Sequence, residues 1–526
     1  MWKSITQKLF LLYLSVQIIC DIRSVSSANI LLYPYGHCLN SHLFLMEKLG
    51  SFLSQHHRVS MLINSEYSIT SRTGMDLRRV QQVSFSAPKN VTTLCDLNSV
   101  ERLVTQSPSD MIGVFIGTGL KFCEALLQDT ATLHYLKQQR FDVIVVDSME
   151  ICGLIIAQYL KIPYIKLLTE GIGDHADIPS PMAYVPAMMA TFTDKMTFGE
   201  RAMNAVMKMG DNLIYYYMLY QYEQLQNKYT DIPTSVHETS RRPSLRFAVA
   251  DFALDYPQPV MPDMLLIGGF FVSQPTSQMS ETVEQFLDSV GEEGLVVFSF
   301  GSQVKHYGEH WGNLFASALG RLPQKVLWRY DGQPPSNLKN NTKLVPWLPQ
   351  AELLAHPKTK LFITHCGRNG AMEAGYYGIP VIGIPLFADQ PSMASKLTGH
   401  AGMGVALDIH SLTADKLYST AKEVISNHNY KSSALKVSYL MRDQPWNFKE
   451  KILYWVDYVV KHDGAYHFKS QAINLKWYQS MMLDVIVFFI FLFLIVINLF
   501  MFLWRVLIPS CNFRSSVIQL SKFKMD

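Results

Sequence analysis

The chain has 526 residues, 48% of them hydrophobic and 17% charged, with a formal net charge of +3. That apolar content is enough for roughly two or three sizeable cores. The small charge, with Lys and Arg scattered along the chain, excludes a protein built around a nucleic-acid partner.

Lys3 and Lys8 precede an apolar run, Leu9 to Cys20, and small residues follow at Ser26 and Ala28. The run is short for a membrane span, so residues 1–28 read as a signal peptide cleaved after Ala28. "NILLYPYG" then reads as a buried strand. Leu43 to Leu53 reads as a helix with Leu45, Leu49, Phe52 and Leu53 on one side, and "RVSMLIN" as a second strand. Farther on, "FDVIVVD", "CGLIIAQYL" and "IPYIKLL" read as strand, helix and strand. This alternation implies a parallel, doubly wound domain over residues 29–274. Between Gly171 and Asp231 the periodicity breaks, which suits either a substrate-binding insertion or a packed helical excursion. The polar stretch Ser273 to Thr282 reads as a linker.

A second alternation fills residues 283–445. Its strands are "LVVFSFG", "KVLWRY", "KLVPW", "KLFITH" and "IPVIGIP", with helices after Trp311 and from about Gly370. Residues 446–484 form C-terminal helices and a membrane-proximal segment. Residues 485–504 are apolar but for Asn498, long enough to cross a bilayer. Asp484 lies before them, and Arg505, Arg514, Lys522 and Lys524 after, so the basic tail, 505–526, is expected in the cytosol. The ending "KFKMD" is similar to a dilysine retrieval signal of the endoplasmic reticulum. Of seven cysteines, Cys20 is expected to leave with the signal and Cys511 lies beyond the span; the other five, at irregular spacing, form neither a disulfide framework nor a zinc pattern, though one or two bridges fit. Asn90 and Asn340 open glycosylation sequons suited to a lumenal body.

Two such domains create a cleft between the carboxyl ends of two parallel sheets, where ligands of open α/β sheets bind. Polar residues gather at those ends. "LFIT" delivers His365 to a turn where Gly367 and Gly370 flank Arg368 and Asn369. Glycines admit close approach, and a helix start near Asn369 is an anion site. Glu373, one turn on, suits ribose hydroxyls. Trp347 offers a face for a base, Asp389 and Gln390 suit sugar hydroxyls, and Phe300, Gly301 and Ser302 form a second glycine turn. Taken singly, each reads as an ordinary turn residue.

Together, "WLPQAELLAHPKTKLFITHCGRNG" and "GIPVIGIPLFADQ" closely resemble the nucleotide-sugar signature of the UDP-glycosyltransferases. The likeness runs on through "HFKSQAINLKWYQ", the apolar span and the basic tail, as in animal UDP-glucuronosyltransferases. The resemblance implies a GT-B fold, a UDP-sugar co-substrate and no cofactor. It places Trp347 on uracil and Gln350 and Glu373 on ribose. Ser302, His365, Gly367, Asn369 and Gly370 go to the diphosphate, and Asp389 and Gln390 to the sugar. Cys366 matches plant members. Arg368 departs from the usual small residue or Trp, which leaves phosphate contact or a clash with the donor open.

Transfer to a hydroxyl needs a base, and His37 and His42 both follow the first strand. The family's Ser-His pair before the first helix selects His42, with Asp147, at the end of "FDVIVVD", as its orienting carboxylate. Asp142 starts that strand and points to the opposite end of the sheet. With no Asp-x-Asp motif in the chain, metal-independent transfer with inversion is expected. The expected partners are a UDP-sugar, a small lipophilic alcohol or phenol, and a membrane; the oligomeric state stays open. A glycolipid-forming enzyme with a ceramide-type acceptor, or a silent binding or pairing subunit, are the rivals. Which sugar is carried is also open: a uronate would favour a cationic partner, glucose would not.

Overall fold

The computed structural model describes residues 27–36, 38–66, 76–86, 98–173, 178–272 and 279–507. Most of the expected signal peptide, His37, Asn90, most of the expected linker and the basic tail beyond residue 507 lie outside them. Contacts divide the chain into one compact unit over residues 1–469 and a second over 470–526.

The first unit holds two wholly parallel sheets. The near sheet contains β1 (Asn29–Tyr33), β2 (Arg58–Asn64), β3 (Val80–Phe85), β4 (Val143–Asp147), β5 (Tyr164–Leu168), β6 (Leu245–Ala248) and β7 (Met264–Leu266), in the order β3-β2-β1-β4-β5-β6-β7. The far sheet contains β8 (Leu295–Ser299), β9 (Lys325–Arg329), β10 (Thr342–Val345), β11 (Thr359–Thr364), β12 (Val381–Gly383) and β13 (Gly404–Ala406), in the order β10-β9-β8-β11-β12-β13. Each order reverses once, between β1 and β4 and between β8 and β11. Such reversals open a crevice at the carboxyl ends of the strands.

Successive strand residues face opposite sides. Ile30 and Leu32 of β1 join Val143 and Val145 of β4 in one core with the helix Asn40–Leu53. Leu31 and Tyr33 join Ile144 and Val146 in the opposite core, against the helices Pro108–Gln128 and Cys152–Leu160. The far sheet does the same: Val296 and Phe298 face one core, Leu295 and Val297 the other. Strands buried on both faces explain why these segments are almost continuously apolar.

The lobes exchange pieces. Val100 and Leu103, in the helix Val100–Thr105 of the near lobe, are buried in the far lobe's core. Ser99 bridges to His306 in parallel fashion. In return, Ile452, Val456 and Val459 of the helix Phe448–Lys461 complete the near lobe's core. That helix, within the segment 446–484 read as C-terminal helices and a membrane-proximal stretch, therefore packs into the body. It also pairs Asp457 with His57 at 3.3 Å.

Other differences are local. The helix expected after Trp311 starts at Gly308, and the one expected from Gly370 starts at Arg368. The helix Glu281–Asp288 takes the end of the expected linker. The described residues 171–173 and 178–197 are largely irregular, and the helix Phe198–Tyr229 follows, started by a Thr197–Glu200 capping box. Cys123 and Cys152 form a disulfide, and Cys366 is a buried thiol. Asn340 is exposed in the turn before β10.

In the second unit, the helix Leu483–Leu507 is apolar between Asp484 and Arg505 except at Asn498, and long enough to cross a membrane. It extends the expected span by a few residues at both ends.

Ile452 touches the near core from far along the chain. We expect Ile452→Ala to destabilise the body by about 2–5 kcal/mol. A chemical-denaturation midpoint in detergent equal to wild type would refute this packing.

Candidate active site

The two reversals face a shared cavity of ≈ 240 Å³. His42, Ser302, Trp347, Gln350, His365, Gly367, Asn369, Gly370, Glu373, Asp389 and Gln390 all line it. Asp147 lies directly behind His42, fully buried at the end of β4. The cavity thus gathers residues scattered over almost 350 positions of sequence, because each follows the carboxyl end of a parallel strand or the helix after it.

On the near side, β1 leads into the helix Asn40–Leu53, whose first turn carries His42. Its Nδ1 stands 2.9 Å from Asp147 Oδ2 and 3.2 Å from Oδ1. Nδ1–H donating to the carboxylate leaves Nε2 as the ring's acceptor. Thr169, just past β5, brings its hydroxyl to 2.9 Å from the same Nδ1 and donates to Asp147 at 3.4 Å. Burial pulls the His42 pKa down, but Asp147, helped by Glu170 and Asp389, more than offsets it, so the pKa stands above the ordinary imidazole value. Asp142 lies at the other end of the sheet, where it accepts from the Asn29 N–H at 2.7 Å. It takes no part in the cavity.

On the far side, β11 ends at Thr364 and the helix Arg368–Tyr377 begins with its N-terminus at the cavity. The His365 ring lies between two glycines. A Cβ on Gly301 or Gly367 would meet it, and Gly301 has a φ of 76° that favours glycine in any case. Burial, then nearby Arg329, pushes the His365 pKa down to about 3. The ring is therefore a neutral donor, with no positive charge of its own. Cys366 also has a positive φ, of 64°, but its thiol is buried against Gly383, outside the cavity lining.

Gln350 donates to Glu373 at 2.6 Å, fixing a carboxylate whose pKa burial raises. The Trp347 ring has Phe44 edge-on at 5.7 Å and the Arg329 guanidinium 5.2 Å from its centre. Gln390 turns its carbonyl oxygen inward to accept from the Leu386 and Phe387 N–H groups, at 2.8 and 3.1 Å. This leaves its amide nitrogen as the end offered to a ligand.

Arg368, the departure from the family pattern, lines the cavity with its guanidinium held by the near lobe. Its Nη1 pairs with Asp255 of the near lobe at 2.7 Å, and its Nη2 donates to the Glu170 carbonyl at 2.7 Å. It ties the lobes together beside the cavity. Gln303 does the same nearer His42, donating to the Cys38 carbonyl at 2.5 Å and accepting from the Asn40 N–H at 3.3 Å.

The sequence reading missed Thr169, Glu170, Gln303, Lys48 and Arg329, all of which line the cavity. Thr169 and Glu170 were within reach, since they follow "IPYIKLL" at the same sheet edge as Asp147. Lys48 and Gln303 carry no local signal.

The comparisons agree with this geometry. Residues 30–512 match the model of the UDP-glucuronosyl and UDP-glucosyl transferases. The chain belongs to this family.

Among its relatives is a rat (Rattus norvegicus) 2-hydroxyacylsphingosine 1-beta-galactosyltransferase, 33% identical over 92% of this chain and 88% of that one. Human (Homo sapiens) UDP-glucuronosyltransferase 1A10 is 38% identical over 74% of this chain and 73% of its own. Among solved structures, Phytolacca americana UGT2, complexed with UDP-2fluoro-glucose and pterostilbene, aligns with a TM-score of 0.56 at 18% identity. It covers 83% of this chain and 99% of that one. The fold is GT-B.

The two glycines that seat His365 generate a prediction. We expect Gly301→Ala to push the ring out of line and weaken equilibrium binding of UDP by roughly ten-fold or more, about 1.4 kcal/mol. Unchanged UDP affinity would show that the ring's seat does not matter.

Proposed function

We propose that this glycosyltransferase of the UDP-glucuronosyl and UDP-glucosyl transferase family transfers a hexosyl or glucuronosyl group to a hydroxyl of a small lipophilic acceptor, with inversion and without a metal ion. The single observation that carries this reading is the His42–Asp147 pair facing, across one cavity, the diphosphate-type cradle at the start of the helix Arg368–Tyr377.

In this reading Trp347 stacks on uracil, and Gln350 and Glu373 hold the ribose. Ser302, His365, Gly367, Asn369 and Gly370 receive the diphosphate. Backbone N–H groups and the helix dipole favour an anion there. His365 adds a neutral N–H, and Arg329 stands behind it as the positive charge. Asp389 and Gln390 hold the sugar. His42 Nε2 takes the acceptor's proton as its oxygen attacks the anomeric carbon, and the bond to the diphosphate oxygen breaks. Asp147 holds the ring's tautomer and stabilises the imidazolium formed. UDP leaves as an anion, stabilised by donors already in place.

We further propose that the body lies in the lumen of the endoplasmic reticulum, anchored by the helix Leu483–Leu507, with Asn90 and Asn340 glycosylated. The apolar helix and the basic residues after it support this orientation. A second reading for the acceptor is a ceramide-type lipid alcohol. The sphingosine-modifying relative, alike over most of both chains, favours it.

We expect His42→Ala to abolish transfer while leaving UDP binding nearly intact, measured on full-length protein in detergent with a phenolic acceptor. Equal loss of both would make His42 structural.

The pH profile supplies a second check. The base must be neutral, so activity rises with pH through the raised His42 pKa, with an acid limb above that of an ordinary imidazole. Asp147→Asn removes the attraction that opposes burial. We expect slower transfer and an acid limb displaced to lower pH; a limb that stays put would separate the profile from His42.

A further inference from the structure

The end of the cavity beside Asp389 has an unusual charge pattern. Glu170, Arg368 and Asp389 line both the main cavity and a smaller one next to it, which also touches Asp255, Tyr256 and Lys396. Two cations, Arg368 and Lys396, therefore stand at this end. Both are held by one buried carboxylate. Asp255 Oδ1 lies 2.7 Å from Arg368 Nη1 and 2.8 Å from Lys396 Nζ, and Asp255 Oδ2 lies 2.9 Å from the same Nη1. Arg368 Nη2 is committed to the Glu170 carbonyl. All three side chains are largely buried.

Burial works against the Asp255 carboxylate, but Arg368 and Lys396 more than offset it and hold its pKa below the usual range. The trio's remaining positive charge faces Asp389 and Glu170, so two cations stand against three carboxylates. The opposite end differs. Arg329 donates to the carbonyls of Gly301, Ser302 and Val304, beside His365. Lys48 donates to the Phe271 carbonyl near Glu373. Positive charge held by neutral acceptors thus lies toward the nucleotide end, and cations held by a carboxylate lie toward the sugar end.

We propose that the donor's sugar is an uncharged hexose and that Asp255 is the residue that excludes a uronate, by holding Arg368 and Lys396. This rests on the reading of the cavity as a UDP-sugar site with its sugar at Asp389. A glucuronate carboxylate there meets Asp389 and Glu170. To gain a cation it must draw Arg368 or Lys396 away from Asp255, leaving that buried charge short of its partners. A glucose or galactose hydroxymethyl group meets neither obstacle, and its hydroxyls find acceptors in Asp389 and Glu170.

The test compares UDP-glucose, UDP-galactose and UDP-glucuronate on full-length protein in detergent, by transfer to one phenol and by competition against UDP at equilibrium. We expect a neutral donor to exceed UDP-glucuronate at least ten-fold in kcat/KM and in affinity. Asp255→Asn releases both cations and is expected to shift the ratio toward UDP-glucuronate by ten-fold or more. Arg368→Gln leaves Asp255 paired with Lys396 and is expected to keep the preference for the neutral sugar. UDP-glucuronate preferred by wild type, or a donor ratio unmoved in a folded Asp255→Asn protein, overturns the proposal and spares the family-level reading. No affinity for UDP and no transfer from any donor overturns both.

Discussion

When the strand order of a parallel sheet reverses, the two connections beside the reversal leave on opposite faces. A crevice opens at the carboxyl ends of the two central strands. This chain has two such sheets, with the pairs β1–β4 and β8–β11 at their centres. His42 and Asp147 follow the first pair; Gly301 and His365 follow the second. The chemistry depends on those two crevices sharing one cavity.

Several devices keep them together. Each lobe lends the other part of its core: Val100 and Leu103 in one direction, Ile452, Val456 and Val459 in the other. Gln303 bridges to the loop that carries His42, and Arg368 to Asp255. Apolar exchange supplies affinity without fixing distances. The hydrogen bonds and ion pairs fix register at the cavity itself, where a small displacement would separate His42 from the far-lobe residues it faces. This is also why contacts gather residues 1–469 into one unit, although the sequence reads as two domains.

The electrostatics follow from the same closeness. His42 feels Asp147 from its own lobe and Asp389 from the other, and its pKa rises in spite of burial. His365 is buried without such a carboxylate and with a cation nearby, so its pKa falls. In the proposed reaction two imidazoles on facing sheets divide the work, one accepting a proton and the other donating a neutral N–H to negative charge. Composition does not distinguish them; their neighbours do.

The sequence by itself determined the alternation of strands and helices and the residues at the strand ends. Runs such as "VIVVD" and "KLFIT" are apolar enough to be buried on both faces, and their ends are marked by His, Asp and Gly. It also singled out the C-terminal apolar helix and the family. Strands β3, β6, β7 and β13 escaped notice because they are short or mixed in polarity. Only the tertiary structure decided what Arg368 does, that Gln390 spends its carbonyl on its own loop, and that the helix Phe448–Lys461 returns to the near lobe. Arg368 and that helix depend on partners far away in sequence, and Gln390 on how its own loop folds back. Local periodicity reports which face of an element is buried; it carries no record of which distant residue covers that face.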